Sequence, residues 1–290
     1  MPVKKVVTGA GGRLGRSVAQ ALHRAGAVED VTLTSRDPAS IADLAKLGFA
    51  TAKADFADAD SLSAAFAGAT EVLMISVPGP ILKRIPLHSA CIDAAKAAGV
   101  DRIVYTSRVY PADGSLYPFA AIHAFTEHYL AASGIATTIV RNNEYIENLL
   151  PAIAEGATTG RLIMPGVRGK VPHIAVADIA EILAKLLMEE GHAGRTYELN
   201  GPVALGRSEI ADLIAAVAGR PVMAGPATRE EFGEIRCQQG RPPFMVEMAM
   251  GLFDAVDAGE FEHVWPHAEQ LLGRRPRSLA EYIRESVKPD

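Results

Sequence analysis

Apolar and polar positions alternate in a regular way from the start of the chain to about residue 199. Short apolar runs bounded by turn residues predict buried strands at 3–8, 31–34, 50–53, 71–76, 102–106, 136–141 and 195–199. Between them, apolar residues at helical spacing predict helices near 14–25, 40–47, 60–67, 82–99, 119–133 and 176–189. Strands that alternate with helices form parallel sheets covered on both faces. The pattern therefore predicts an α/β protein with a Rossmann-type doubly wound parallel sheet.

The pattern loosens beyond about residue 150. A helix near 208–218 is followed by short elements and a proline-rich stretch, and an amphipathic helix lies within 271–287. We predict a Rossmann core over 1–155. Residues 156–290 are predicted to supply the remaining sheet elements and a small C-terminal α/β substrate lobe, interleaved with the core rather than independent of it.

Composition narrows the class of protein. Of the 290 residues, 49% are hydrophobic, and the net charge is -5. This balance is typical of a globular enzyme and argues against direct nucleic-acid binding, which needs a basic face. No stretch approaches the ~20 apolar residues of a membrane span. A first strand that begins at residue 3 leaves no room for a signal peptide, and two lone cysteines, Cys91 and Cys237, fit a reducing compartment. We expect a cytoplasmic protein without membrane contact.

A glycine-rich turn lies between the first predicted strand and the first predicted helix. In this context Gly9 allows a tight turn, Gly12 lets the backbone approach a pyrophosphate, and Gly15 lets helix and strand pack closely. The start of the helix offers N–H groups to phosphate. An ordinary turn without a ligand is the alternative, but the strand-turn-helix context favours dinucleotide binding. The residues predicted to bind the cofactor here are Thr8, Gly9, Gly11, Gly12, Arg13, Leu14 and Gly15.

The end of the second predicted strand distinguishes NADP from NAD. An NAD site usually places a carboxylate there to bind the ribose 2′-hydroxyl, whereas an NADP site places an arginine nearby. Here Ser35 and Arg36 end the strand, and Arg13 could close on the same phosphate. Asp37 could turn outward or reach the ribose, and Arg36 could be a solvated loop residue. We favour NADP(H) over NAD(H).

Ligands of doubly wound sheets bind at the carboxyl ends of the strands. This rule selects further cofactor-binding candidates directly after the predicted strands: Asp55, Phe56, Ser76, Val77, Pro78, Thr106, Ser107, Arg141 and Asn142.

The usual proton relay of short-chain dehydrogenases is missing. That relay is a Tyr-x-x-x-Lys pair in which the lysine lowers the pKa of the tyrosine, but no lysine occurs between Lys96 and Lys170. Two explanations remain open. The chain binds a dinucleotide without catalysis, or it delivers hydride to an acceptor that needs little acid help, such as a quinone or a cationic conjugated dye.

Three residues are candidates for the catalytic pocket. His123 lies on the helix after the fifth predicted strand and could supply a proton near neutral pH, although a packing role is equally consistent with the sequence. Tyr145 could stack on a planar acceptor and Asn148 could hold a carboxamide, or both could simply begin a helix. We expect no metal site, because the sequence has no ligand cluster and Pro266 separates His263 from His267.

Several motifs together resemble the NmrA-like atypical short-chain dehydrogenases, most closely their type 2 NAD(P)H:quinone oxidoreductases and triphenylmethane reductases. They are Thr8-Gly9-x-x-Gly12-x-x-Gly15, Ala54-Asp55-Phe56, Tyr105-Thr106-Ser107, His123-x-x-Thr126-Glu127, Ser133-Gly134, Arg141-Asn142-x-x-Tyr145-x-x-Asn148, Asp178 and Gly273-Arg274-x-Pro276. The resemblance implies an NADPH site with residues 55–56 near the adenine, 76–78 along the ribose and phosphates, and 106–107 beside the nicotinamide. It also implies that a missing Tyr/Lys pair is normal.

Two functions follow from these expectations. The first is an NADPH-dependent reductase of quinones or similar flat conjugated molecules. The second is a non-catalytic sensor of the NADP redox state that acts through a protein partner, because the resembled family also contains such regulators. An isomerase with bound NAD ranks last, since it needs the missing base. Members of this fold often pair through the helices corresponding to 82–99 and 119–133, which makes a homodimer a candidate assembly.

Overall fold

The strands of the protein were located in a computed structural model that describes residues 4–226 and 228–287. They are, in chain order, β1 (Lys5–Val7), β2 (Val31–Ser35), β3 (Ala50–Lys53), β4 (Glu71–Met74), β5 (Arg102–Arg108), β6 (Ala136–Asn142), β7 (Arg161–Ile163), β8 (Lys170–Val171), β9 (Thr196–Leu199), β10 (Leu205–Gly206) and β11 (Met223–Gly225). Seven of them form one sheet in the order β3-β2-β1-β4-β5-β6-β9. This confirms the predicted Rossmann-type sheet; the predicted strand residue Val3 lies outside the described residues.

The strand order reverses beside β1. This strand pairs in parallel with β2 on one side, Val6 opposite Thr32, and with β4 on the other, Val6 opposite Val72. Connections that leave in opposite directions open a crevice at the carboxyl ends of β1 and β4, where doubly wound sheets bind their ligands. The residues that follow these two strands are therefore the first to consider as a site.

The helices largely follow the predicted spans. They are α1 (Arg13–Arg24), α2 (Ala42–Ala45), α3 (Ala59–Phe66), α4 (Ile81–Ala97), α5 (Phe119–Ser133), α6 (Ile146–Thr159), α7 (Val176–Met188), α8 (Arg207–Ala218), α9 (Arg229–Gln238), α10 (Pro243–Asp257), α11 (His267–Leu272) and α12 (Leu279–Ser286). The helix predicted near 40–47 is shorter, because a 3-10 turn over Pro38–Ile41 precedes it. Within the described ranges, no helix has the length and apolar character needed to cross a membrane.

Contacts divide the chain into two compact units. Unit 1 comprises the residues up to Arg108 together with Ile122–Arg141 and Val176–Tyr197, and unit 2 comprises Val109–Ala121, Asn142–Ala175 and the residues from Glu198 onward. Each unit therefore draws residues from both sides of position 155.

Each unit has its own core. In unit 1, the apolar face of α1 packs on α7, and a buried cluster between sheet and helices includes Phe66, Met74, Ile92 and Tyr105. In unit 2, the buried cluster includes Ile146, Ile153, Ile210, Ile214 and Ile283.

A carboxylate at the end of α10 gathers backbone N–H groups in unit 2. Asp257 Oδ1 accepts hydrogen bonds from the N–H groups of Val167 at 2.6 Å, Arg168 at 2.7 Å and Gly169 at 3.2 Å. A Cβ on Gly169 would lie 1.7 Å from the carbonyl oxygen of Val256, so only glycine fits. Burial raises the pKa of the Asp257 carboxyl, but the three N–H groups and the charge of Arg168 outweigh it and lower that pKa below its ordinary value.

Replacing Asp257 tests this anchor. The folded-state pKa lies below the ordinary value of 3.8, so the stabilisation is complete above that value and is lost as the pH falls through the folded-state pKa. We expect Asp257→Ala to lower the free energy of unfolding by about 1–2 kcal/mol at neutral pH, the lower part of the range for charged hydrogen bonds because the group is partly exposed. Urea unfolding at neutral pH and below about pH 4 measures this difference, which should shrink in acid.

The control for this comparison is Asp212→Ala, which removes an exposed aspartate of α8. If Asp257→Ala lowered the free energy of unfolding by the same amount at both pH values, the result would contradict stabilisation by the charged carboxylate.

Candidate functional site

The glycine turn after β1 has the backbone that a dinucleotide site requires. Gly9 adopts a φ of +67°, in the left-handed region. A Cβ on Gly15 would lie 2.3 Å from the carbonyl oxygen of Gly9, so the helix can approach the strand only because this residue is glycine. Gly12 is the N-cap of α1 and provides no side chain to cap the first N–H groups of the helix. The start of α1 can therefore bind an anion through its backbone.

The structure brings the end of β2 against the glycine turn. Ser35 Oγ lies 3.1 Å from Ser40 Oγ, and a Cβ on Gly11 would lie 3.2 Å from Ser35 Oγ. Asp37 does not extend along β2; its Oδ1 accepts a hydrogen bond from the N–H of Ala39 at 3.0 Å and caps the 3-10 turn. Arg36 is exposed. The end of β2 thus carries the hydroxyls of Ser35 and Ser40 and the guanidinium of Arg36. The carboxylate of Asp37 is already bonded to the backbone of the 3-10 turn.

Arg16 braces the same region. Its guanidinium forms an ion pair with Asp43 at 2.7 Å and donates to the carbonyl oxygen of Ser40. The segment after β2 is therefore tied to α1.

The segment after β4 is held by side chains from neighbouring strands. Thr8 Oγ1 donates to the carbonyl oxygen of Leu73 at 3.1 Å and accepts from the N–H of Ile75 at 3.0 Å. Thr106 Oγ1 accepts from the N–H of Ser76 at 2.9 Å. This explains why β4 ends at Met74 and not at residue 76 as predicted: the next two N–H groups bond to hydroxyls instead of a neighbouring strand. Both threonines are buried, and both join the loop to the sheet.

One face of α5 carries three polar residues that reach different elements. His123 Nδ1 lies 2.9 Å from the hydroxyl of Tyr105 on β5, and Thr126 Oγ1 lies 2.8 Å from His88 Nδ1 on α4. Glu127 accepts from Arg141 Nε at 3.0 Å and Nη2 at 2.6 Å. It also accepts from Ser107 Oγ at 2.5 Å. The spacing of these residues at i, i+3 and i+4 places them on one side of the helix.

A buried guanidinium lies among these groups. Arg84 Nη2 donates to Ser76 Oγ at 2.7 Å and lies 3.4 Å from His123 Nε2. Burial and then the charge of Arg84 lower the pKa of His88 to about 3. Burial, followed by Arg84, His88 and Arg108, lowers the pKa of His123 well below its ordinary value. Both imidazoles are therefore neutral at physiological pH.

The remaining predicted residues have varied surroundings. Phe56 packs in the unit 1 core, Asp55 Oδ1 accepts from the N–H of Ala57 at 3.0 Å, and Pro78 is exposed. In unit 2, Tyr145 precedes α6 and its hydroxyl accepts from Asn142 Nδ2 at 3.3 Å. Asn148 is exposed in the first turn of α6.

Sequence reasoning missed five residues of this network: Arg16, Ser40, Arg84, His88 and Glu127. Glu127 was part of a motif but had no predicted role. Arg84 and His88 lie four residues apart in a helix that is otherwise apolar on its buried side, and that break in the pattern was the available signal.

These surroundings fit a dinucleotide. The start of α1 has N–H groups for a pyrophosphate, and the end of β2 has the guanidinium of Arg36 for a ribose phosphate. In unit 2, Asn142 Oδ1 at the end of β6 is buried without a hydrogen-bond partner among the described residues. Within the same residues, no group of three His, Cys, Asp or Glu side chains could hold a metal ion.

Comparisons with known proteins agree with this geometry. The profile of a family described as NAD(P)H-binding matches residues 9–190. Quinone oxidoreductase 2 of Escherichia coli is 31% identical over 277 residues, with 96% of each chain covered. The NAD(P)H azoreductase of Xenophilus azovorans is 28% identical over 279 residues, again with 96% of each chain covered.

A solved structure extends the likeness to three dimensions. The triphenylmethane reductase of Citrobacter sp., in complex with NADP(H), superposes with a TM-score of 0.92 at 28% identity, covering 98% of this chain and 100% of that one. Family profile, sequence and fold thus lead to one conclusion: the chain belongs to the NAD(P)H-binding family, among the NmrA-like reductases that include quinone oxidoreductase 2.

Proposed function

We propose that this protein is an NADPH-dependent reductase that transfers hydride to a quinone or a similarly flat, conjugated acceptor. The observation that carries the proposal is a dinucleotide-binding sheet edge combined with the absence of the Tyr-x-x-x-Lys relay. The named relatives support the acceptor class, since quinones, azo compounds and triphenylmethane dyes are all extended π-systems.

The end of β2 supports NADPH as the preferred cofactor. Arg36 and the hydroxyl of Ser35 can bind a 2′-phosphate. Asp37, the carboxylate that could have selected the 2′-hydroxyl of NADH, instead caps the 3-10 turn. A guanidinium without a competing carboxylate favours the phosphorylated ribose.

The groups of unit 1 support a reaction with little acid assistance. The bound nicotinamide supplies a hydride. His123 is buried and neutral, and burial raises the pKa of the Tyr105 hydroxyl, so neither group readily releases a proton near neutral pH. A conjugated acceptor spreads the incoming charge over its rings and can take a proton from water afterwards. The protein then contributes orientation and exclusion of competing reactions.

We assign three residues to the acceptor side of the reaction as proposals. Tyr145 supplies a ring that can stack on a planar acceptor, and Asn148 supplies an amide that can hold a carbonyl. His123, as a neutral imidazole, can orient Tyr105 through the 2.9 Å contact between them.

Oxidation of NADPH in the presence of a panel of quinones and cationic dyes tests the proposal directly. We expect turnover with several acceptors, because delocalised acceptors need no dedicated proton relay. The measurement is the loss of nicotinamide absorbance, with acceptor-free protein as control. Binding of NADPH without turnover of any acceptor would contradict the reductase and favour a redox sensor that acts through a protein partner.

Arg36→Ala tests the choice of cofactor. We expect the Kd for NADPH to rise about 10- to 100-fold, the effect of losing about 1.5–3 kcal/mol of charged hydrogen bonding, and the Kd for NADH to stay nearly unchanged. Both are measured by nicotinamide fluorescence. Arg24→Ala, an exposed arginine at the end of α1, is the matched control. Equal weakening of both cofactors would rule out a 2′-phosphate contact.

The pH dependence of kcat/KM tests the state of His123. Because its pKa is lowered well below the ordinary value, the imidazole stays neutral around and above that ordinary value, and no step there should arise from it. The profiles of the unsubstituted protein and His123→Gln are expected to have the same shape, even if their heights differ. A step near the ordinary histidine pKa that disappears in His123→Gln would show that this residue acts as a charged acid.

A further inference from the structure

Three consecutive N–H groups after β4 bond to three different elements. Ile75 donates to Thr8 at 3.0 Å, Ser76 donates to Thr106 at 2.9 Å, and Val77 donates to His88 Nε2 at 3.4 Å. The first two acceptors belong to the sheet region, whereas His88 comes from the second turn of α4, which the chain enters only after this loop. The helix therefore holds the loop that leads into it.

The neighbours of His88 determine which nitrogen carries its proton. Thr126 uses its only hydroxyl proton to bond the carbonyl oxygen of Ile122 at 2.7 Å, so at the 2.8 Å contact it must accept from His88 Nδ1. In the neutral ring Nε2 is then an acceptor. It lies 3.4 Å from Ser76 Oγ and 3.4 Å from the N of Val77. The lone pair of His88 Nε2 therefore points toward the loop at residues 76–77.

Arg84 completes the arrangement from one turn earlier in α4. Its Nη2 donates to Ser76 Oγ at 2.7 Å, which leaves the Ser76 proton for His88 Nε2. Ser76 is thus bonded on both sides by α4. The loop at residues 76–77 is fixed by one acceptor and one donor from the same helix, four residues apart.

We propose that His88 is a positioning residue for the dinucleotide: it fixes the backbone of residues 76–77 at the crevice between β1 and β4, so that this segment contacts the cofactor in one conformation. This inference rests on the proposed cofactor binding. In this arrangement the Ser76 hydroxyl is engaged within the protein and the Val77 side chain packs against the unit 1 core, so the backbone of this segment and the exposed Pro78 are left to face a ligand.

The test is cofactor binding measured without any acceptor. His88→Leu removes the lone pair, whereas His88→Gln places an amide oxygen where it can accept from the Val77 N–H. We expect His88→Leu to raise the Kd for NADPH and for NADH by the same factor, about tenfold, because the loop follows β4, whereas the proposed 2′-phosphate residues follow β2 on the other side of β1. His88→Gln should bind both cofactors within about threefold of the unsubstituted protein.

A matched variant separates positioning from general loss of stability. Thr138 is a fully buried threonine of β6 whose hydroxyl donates to the carbonyl oxygen of His192 at 2.8 Å. Thr138→Val and Thr126→Val each remove, at similar volume, a buried hydroxyl that donates to a backbone carbonyl oxygen, but only the Thr126 hydroxyl also accepts from His88. We expect Thr126→Val to weaken both cofactors and Thr138→Val to leave binding unchanged, while thermal unfolding shifts similarly in both. If His88→Leu does not fold, this pair still decides the question.

Three results would overturn the inference: unchanged binding in Thr126→Val, a His88→Gln variant as weak as His88→Leu, or a loss in Thr138→Val equal to that in Thr126→Val. Since no acceptor is present, a failure of quinone reduction would leave these results intact. Failure of the unsubstituted protein to bind either dinucleotide would instead refute the proposed function, together with this inference.

Discussion

The joint burial of Arg84, His88 and His123 is the constraint on which the polar contacts beside the sheet in unit 1 depend. Burial, followed by the positive charge of Arg84, lowers the pKa of both histidines, so His88 and His123 stay neutral. Neutral imidazoles have one donor and one acceptor each, and their neighbours determine which nitrogen is which. The groups around these neutral rings thus decide the hydrogen-bond directions in the loop after β4 and at the contact with Tyr105.

The polar residues on one face of α5 make further fixed contacts along the sheet. Thr126 orients His88, His123 contacts Tyr105, and Glu127 binds the fork of Arg141 at 2.6 Å and 3.0 Å. Bidentate pairs of this kind fix geometry as well as contributing energy. Unit 2 uses a comparable device at Asp257, where one carboxylate oxygen collects three successive N–H groups. In both units, polar side chains fix segments that are distant in the chain: those of α5 bind α4, β5 and β6, and Asp257 binds residues 167–169.

This organisation suits chemistry without a dedicated proton relay. His88 and His123 are held neutral, and Glu127 is engaged in an ion pair with Arg141. An enzyme of this kind gains rate by holding cofactor and acceptor in position, and it can accept structurally different acceptors if they share a flat conjugated system. The differing acceptors in the names of its relatives are consistent with that view.

The sequence alone determined the class of fold and predicted which strand ends hold the cofactor. Alternating apolar periods predict strands and helices because burial of one helix face, or of both faces of a strand, is a local property of the chain. Gly9 and Gly15 could be assigned roles for the same reason, since their constraints lie within one turn. The end of β4 and the neutral state of His123 depended on partners that lie far away in the sequence. Arg84 and His88 could not be recognised as site residues in a helical pattern, because their function arises only when α4, α5 and the loop after β4 are brought together. The tertiary structure decided these points, since the direction of a hydrogen bond and the pKa of a buried group are set by neighbours that only folding supplies.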